Sequence, residues 1–405
     1  MMKVLNSGEQ NFVPMVASSS LALLFSIAVV LILIRKVNIG LAIFVGSAIL
    51  AYLTLGADGL LVMLKSLANP QTIEIVVIVI LAFTLGYSME YFGMLEKVTG
   101  GLSESFGVYS FLLIPLLIGL LPMPGGALIS AVMLGPLTKM YRISPEKATL
   151  LNYWFRHVWV TFWPLYPSVI IGAAVVNVDY FHFAAATFPI GVFALTAGLT
   201  LTRGMERRFR VSRNLFDSLI NLYPIAILLI LSVLLRLDLL LALVVAIAAV
   251  SIHNRAKLED FREIFRRTVD KKIILLVFAV MVYKSVIQNS GAAESLFTDI
   301  SLGFPAPAAA FLLTLLVGFA TGIEMSYSSI ALPLLTSFTG SGIVVAKNLM
   351  LVIAAGYIGV MLSPMHLCYI LTAEYFGTEI GKTYRQLLAI AGITAALVWI
   401  AYLVI

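Results

Sequence analysis

The chain has 405 residues, 61% of them hydrophobic and only 11% charged, with a mean hydropathy of +1.04 and a formal net charge of +6. A soluble domain carries about 25% charged residues, so a water-solvated surface is excluded and a lipid bilayer is the solvent that fits. The basic residues lie in short loops beside apolar blocks, where they set membrane orientation rather than bind nucleic acid, and the single Cys368 excludes a disulfide framework.

Residues 1–13 lack the basic start and small-residue cleavage site of a signal peptide, so the first apolar block is expected to stay as a spanning helix. Apolar stretches of about 20 residues predict crossings at 14–34, 37–56, 72–93, 147–178, 183–202, 215–235, 237–252, 272–289, 345–376 and 383–405. Two further apolar regions, 108–140 and 306–338, are interrupted by LPMPGGA (121–127) and ATGIEMSYSS (320–329), which suits re-entrant hairpins. Residues 94–107 and 290–305 are candidate surface arms. The stretch 253–272 places Leu258, Phe261, Ile264 and Phe265 at helical spacing among charges, as an inner-surface amphipathic helix does.

With the N-terminus outside, the inner connections hold twenty Lys and Arg and the outer ones three, Lys3, Lys65 and Arg236, while Arg156, Lys284 and Lys347 fall within spans. Turning either hairpin into a full crossing degrades that split. Ten crossings put the C-terminus outside as well, and the expected location is the cell (inner) membrane. An offset near 200 aligns Tyr87 with Tyr283, Glu96 with Glu294, Gly119 with Gly318, Ser130 with Ser329 and Pro164 with Pro364. The expected fold is therefore an all-α polytopic membrane protein of two inverted repeats, each with five transmembrane helices and one re-entrant hairpin. Repeat 1 covers 1–202, a cytoplasmic linker 203–214, and repeat 2 covers 215–405. Alternating-access transporters are built this way.

Non-helical backbone at mid-membrane depth survives only where protein or a wet cavity surrounds it. Four such places are predicted: the two hairpin turns and two helix interruptions, FWPLYPS (162–168) with Pro164 and Pro167, and MLSPMH (361–366) with Pro364. Helix N-termini exposed there favour anions and unwound carbonyls favour cations. The candidate substrate contacts are Pro124, Gly125, Gly126 and Ser130 in the first hairpin, Ser326, Ser328 and Ser329 in the second, Ser363 and His366 at the second interruption, and Arg156. The first turn read structurally is only a tight Pro–Gly hairpin. Arg156 either clamps a carboxylate or snorkels to the inner surface.

Candidate ion-coupling residues are Thr321, Glu324, Asn152 and Asn348. Glu324 suits proton coupling or a cation, or else pairs with Arg156 or Lys284. The two asparagines serve equally as interhelical glue, and His366 as a hydrogen-bonded core residue. Glu90 and Lys284 are candidates to pair across the repeat interface. His157, His182, His253 and His366 are scattered along the chain without a catalytic motif or a CxxC or HExxH spacing, so neither enzyme chemistry nor a resident metal is expected.

PMPGGALIS at one hairpin, EMSYSSIALPLL at the other and LSPMHLCYILT at the second broken helix resemble the ion transporter superfamily. That group includes divalent anion–sodium symporters, citrate and gluconate permeases and arsenite carriers. Within it the sequence is most similar to an uncharacterised prokaryotic integral membrane family. The resemblance implies a homodimer of protomers with a scaffold part and a transport part that moves substrate by an elevator-like shift, and hairpin tips and broken helices that bind substrate and coupling ion. The symporters' Ser–Asn–Thr signature is absent, its places taken by Gly125, Gly126 and Ser130, and by Ser326, Ser328 and Ser329. The expected function is secondary transport of a small carboxylate-type anion coupled to Na+ or H+, with no other cofactor. A cation–proton antiporter using Glu324 is the alternative.

Overall fold

The computed structural model describes residues 16–33, 36–122, 126–205, 214–301 and 303–405. Among these, seven helices are long and apolar enough to cross a membrane: Pro70–Tyr91, Met94–Ile118, Tyr180–Thr202, Leu215–Ser232, Lys271–Ser290, Ala346–Phe376 and Ile380–Val404. Shorter apolar helices, Ser19–Val30, Ile39–Leu55, Leu239–His253 and Ala306–Thr321, stand beside them. Strand structure among the described residues is a two-residue ribbon pairing Gly340–Ser341 with Ile343–Val344.

Side-chain caps set where the apolar runs become helical. Asn38, Asn69, Ser144, Asp179, Asp238 and Asp270 each accept a first-turn N–H, and Pro70 and Pro145 occupy first positions where no N–H is needed. These partners matter more here than in water, because lipid offers none.

Both expected interruptions are present, the first wider than its sequence suggests. Helix Pro145–Arg156 stops before His157, and helix resumes only at Pro167–Val175. The cause lies upstream of the prolines: the His157 Nδ1 contacts the Tyr153 carbonyl at 2.6 Å, and the His157 N–H donates instead to Trp154. Pro164 and Pro167 then keep the helix from re-forming until Pro167 takes the first helical position. The second break is compact, from Ala346–Leu362 through Ser363 and Pro364 to Leu367–Phe376.

Helix Met94–Phe106 ends at Gly107, whose φ of 52° and ψ of −123° suit glycine alone. That bend divides the apolar segment Met94–Ile118 into Met94–Phe106 and Ser110–Ile118, the latter being the first limb of the first hairpin, whose second limb is Gly126–Tyr141. The second hairpin descends as Ala306–Thr321, turns at Gly322 and returns through Glu324–Ser326 and a π-helical turn at Tyr327–Ala331.

Packing relates the halves reciprocally. Ile39–Leu55 packs on Lys271–Ser290, and Leu239–His253 on Pro70–Tyr91. Val16–Leu33 packs on Ala292–Ser301, and Leu215–Leu219 on Met94–Phe106. Leu367–Phe376 packs on Gly126–Tyr141, and Pro167–Val175 on the Tyr327–Ala331 turn. Further contacts join distant segments: Arg236 lies over Phe181 at 5.1 Å, the Gly342 N–H donates to the Val176 carbonyl, the Lys147 ammonium to the Arg203 carbonyl and the Tyr91 hydroxyl to Asp260.

Candidate functional site

Two glycines let the hairpins press against the broken helices. A Cβ on Gly119 would lie 2.2 Å from the Arg156 carbonyl oxygen, and one on Gly318 would lie 2.4 Å from that of Gly356. The Tyr166 hydroxyl also donates to the Gly119 carbonyl at 2.7 Å. At the second tip Gly322 has a φ of +63°, and a Cβ there would lie 2.9 Å from the His366 nitrogen and the Ser363 hydroxyl. The tip is held shut by the Thr321 and Ser326 hydroxyls, 2.6 Å apart.

Those contacts gather four interruptions into one junction. Glu324, opening the returning limb of the second hairpin, places Oε1 3.3 Å from His157 Nε2. The contact is one of distance without hydrogen-bond alignment. The His157 and His366 rings stand perpendicular with centroids 4.9 Å apart. Arg156 Nη1 lies 3.7 Å from Cys368 Sγ. The Asn152 amide donates to the Ala127 carbonyl and the Thr372 hydroxyl, tying the first hairpin to both broken helices.

Several expectations change. Arg156 is 3% exposed, so it does not snorkel to the surface. Lys284 neither meets Glu324 nor pairs with Glu90; its ammonium donates to the Ala174 carbonyl near the end of Pro167–Val175. Asn348 does not mirror Asn152: it sits in the first turn of Ala346–Leu362, far along that helix from the break, and donates to the Phe338 carbonyl. His157 and His366 are neighbours rather than scattered.

Ser130 is buried and donates to the Gly126 and Ala127 carbonyls, so it closes the start of the first hairpin's second limb. Pro124 and Gly125 lie outside the described residues. Ser326 and Ser329 bond within their own hairpin, while Ser328 is buried with no partner among the described residues. Ser363 accepts the Met365 N–H. Pro164 and Pro364 stand within the breaks and Pro167 opens the helix after the first.

Unsatisfied polar atoms concentrate here. Thr149 Oγ1, Asn152 Oδ1, Thr161 Oγ1, Trp163 Nε1, Ser328 Oγ, Tyr357 Oη and His366 Nδ1 are buried with no partner among the described residues. Each belongs to a broken helix or to the second hairpin, whereas buried polar groups elsewhere in a protein are normally paired. A cavity of about 630 Å³ opens beside Trp163 and Pro164 and is also lined by Glu74, Arg236 and Asp238. Sequence reasoning did not place His157 and Cys368 in the site. The signal available for them was the Arg–His pair closing a predicted half-helix and the cysteine two residues past His366.

Over residues 17–405 the chain matches the family described as "Protein of unknown function (DUF401)", and it belongs to that family. No curated protein matches it in sequence. Its fold is similar to that of the Alcanivorax borkumensis YdaH transporter, whose crystal structure is described as revealing an unusual topology. The TM-score is 0.62 at 13% identity, over 95% of this chain and 98% of that one. Apolar helices in this number, in a fold shared with a transporter, define a multi-pass membrane protein.

Proposed function

We propose that the protein is a secondary active transporter of a small organic anion, carried at the junction of the two hairpins and two broken helices. One observation carries the reading: helix ends converge around the buried Arg156 amid polar side chains that lack partners. The N-termini of Gly126–Tyr141, Pro167–Val175 and Leu367–Phe376 open at these breaks and favour an anion. Arg156 supplies a full counter-charge. The reciprocal packing supports two inverted repeats, 1–202 and 215–405 about the linker 203–214, and the likeness to a YdaH transporter supports a carrier.

In this reading the hairpins, the broken helices, Tyr180–Gly198 and Ile380–Val404 form the moving part. The remaining spans form the scaffold of a homodimer in the inner membrane, with both termini outside. The cavity beside Trp163 lies between the two parts and serves as the outer approach. Ser328, Ser363 and His366 line the substrate's place, together with Gly126 at the start of the first hairpin's second limb. Na+ or H+ couples through Glu324, Thr321 and Asn152; Asn348 is left out because it bonds elsewhere.

Reconstituted protein should accumulate at least one member of a carboxylate panel under an imposed Na+ or proton gradient. Absence of uptake across the panel in both gradients would overturn the anion reading. Exchange of a cation against protons at Glu324 is the second reading, favoured by the 3.3 Å approach of its carboxylate to His157. It predicts pH-driven cation flux without any anion.

A further inference from the structure

His157, His366 and Cys368 present ligand atoms that lie within 4.8 Å of one another. His157 comes from one half of the chain and His366 and Cys368 from the other, so no linear spacing reveals the full set. Aromatic packing explains part of the cluster: Tyr153 meets both imidazoles edge-on at 5.0 and 5.3 Å. It does not explain the ring nitrogens, since His157 Nε2 and His366 Nδ1 are buried and unpartnered by hydrogen bonds among the described residues.

The tautomer of His157 follows from its surroundings. Nδ1 faces the Tyr153 carbonyl at 2.6 Å and must donate to it, which leaves a lone pair on Nε2. Anchoring one imidazole nitrogen on a backbone carbonyl is how proteins orient a metal-ligating histidine. That lone pair faces Glu324 Oε1 at 3.3 Å. Two acceptors at this distance repel unless a proton or a metal cation lies between them, and the contact lacks the alignment of a hydrogen bond. A tetrahedral ion with bonds of about 2.0–2.2 Å has ligand–ligand edges of roughly 3.3–3.5 Å, so the observed separation already suits one edge.

We propose that His157, His366 and Cys368 bind a transition-metal cation of the zinc type, and that Glu324, outside that cluster but beside His157, closes onto the ion as fourth ligand. Two imidazoles, a thiolate and a carboxylate form a borderline-soft set that selects Zn2+ over Na+, Mg2+ or Ca2+. Arg156, 3.7 Å from the sulfur, offsets the negative charge of the bound thiolate. Glu324 is 20% exposed while the histidines are buried, so it is the ligand on the entry side. Glu324, His366 and Arg156 also belong to the proposed transport site, so a bound metal occupies them in place of coupling ion and substrate. A bound metal would lock the second hairpin tip to both broken helices.

The test uses full-length protein in detergent, stripped with chelator and titrated with Co2+ as a spectroscopic probe for Zn2+. One equivalent should produce tetrahedral d–d bands and a sulfur-to-cobalt charge-transfer band. Cys368→Ser should abolish the charge-transfer band, and His366→Gln should weaken binding at least about tenfold. His253→Gln, remote from the cluster, should change neither. X-ray absorption on the Zn2+-loaded native chain needs no variant and should find one sulfur at about 2.3 Å beside nitrogen and oxygen ligands. An octahedral cobalt spectrum, a charge-transfer band that persists in Cys368→Ser, or a zinc shell without sulfur would overturn the site. Carboxylate uptake, measured on the same preparation with and without chelator, separates the two ideas. Uptake without the sulfur band rejects the metal site alone, and the sulfur band without uptake rejects the carrier alone.

Discussion

Glu324 at the tip of the second hairpin stands 3.3 Å from His157 at the end of the first half-helix, so one carboxylate bridges the two halves of the chain. Glu324→Gln keeps the shape and some hydrogen-bonding capacity but removes the charge. Coupled transport in proteoliposomes should fall by about tenfold or more, the equivalent of about 1.4 kcal/mol, while the protein still elutes as a single species. Unchanged flux would remove Glu324 from the mechanism.

Gly119 and Gly318 are expected to be intolerant of any side chain. An added Cβ would meet backbone carbonyls at 2.2 and 2.4 Å, and backbone cannot swing aside as a flexible side chain can. Ala at either position should cost about 1–3 kcal/mol, read as a lowered thermal midpoint. Gly392→Ala, facing open space, should stay close to the native midpoint. Tolerance at Gly119 and Gly318 alike would contradict the close approach of hairpin and broken helix.

Lys284→Met keeps the length of the side chain and removes the side-chain donor to the Ala174 carbonyl, a bond that joins Lys271–Ser290 to the end of Pro167–Val175. The carbonyl keeps the Asn177 N–H at 3.3 Å but loses a hydrogen bond to a charged group, worth about 1.5–3 kcal/mol, so thermal stability should drop. In the elevator reading this bond belongs to one position of the moving part, and transport rate should change together with stability. A variant as stable as the native chain would mean the ammonium is held elsewhere.

Sidedness can be checked with single cysteines placed in a Cys368→Ser background, because Cys368 is the chain's only cysteine. Membrane-impermeant maleimide added to intact cells should label Lys65→Cys and Arg236→Cys and spare Arg255→Cys and Arg262→Cys until the membrane is opened. The reverse pattern would invert the topology while leaving the fold intact.

Much of the architecture was legible because it is written in local signals. Hydropathy located the helices, and Pro364 with Ser363 located the second break within a residue or two of where Ala346–Leu362 ends. The first break was read too narrowly. Its start is set by a histidine bonding to its own preceding turn at Tyr153, and residue type alone does not announce that. Asn152 and Asn348 illustrate the same limit, since similar positions in the two halves hide different partners, the Ala127 and Phe338 carbonyls.

The amino-acid sequence by itself determined the solvent and the stretches around Pro164 and Pro364 where helices fail, since these depend on transfer free energy and backbone sterics over a few neighbouring residues. Only the tertiary structure decided what chemistry meets at those points. Arg156 and Cys368 are 212 residues apart, and His157 touches Glu324 across the two halves. Such encounters depend on how glycine faces let helices approach, a property of packing between segments that no single segment encodes.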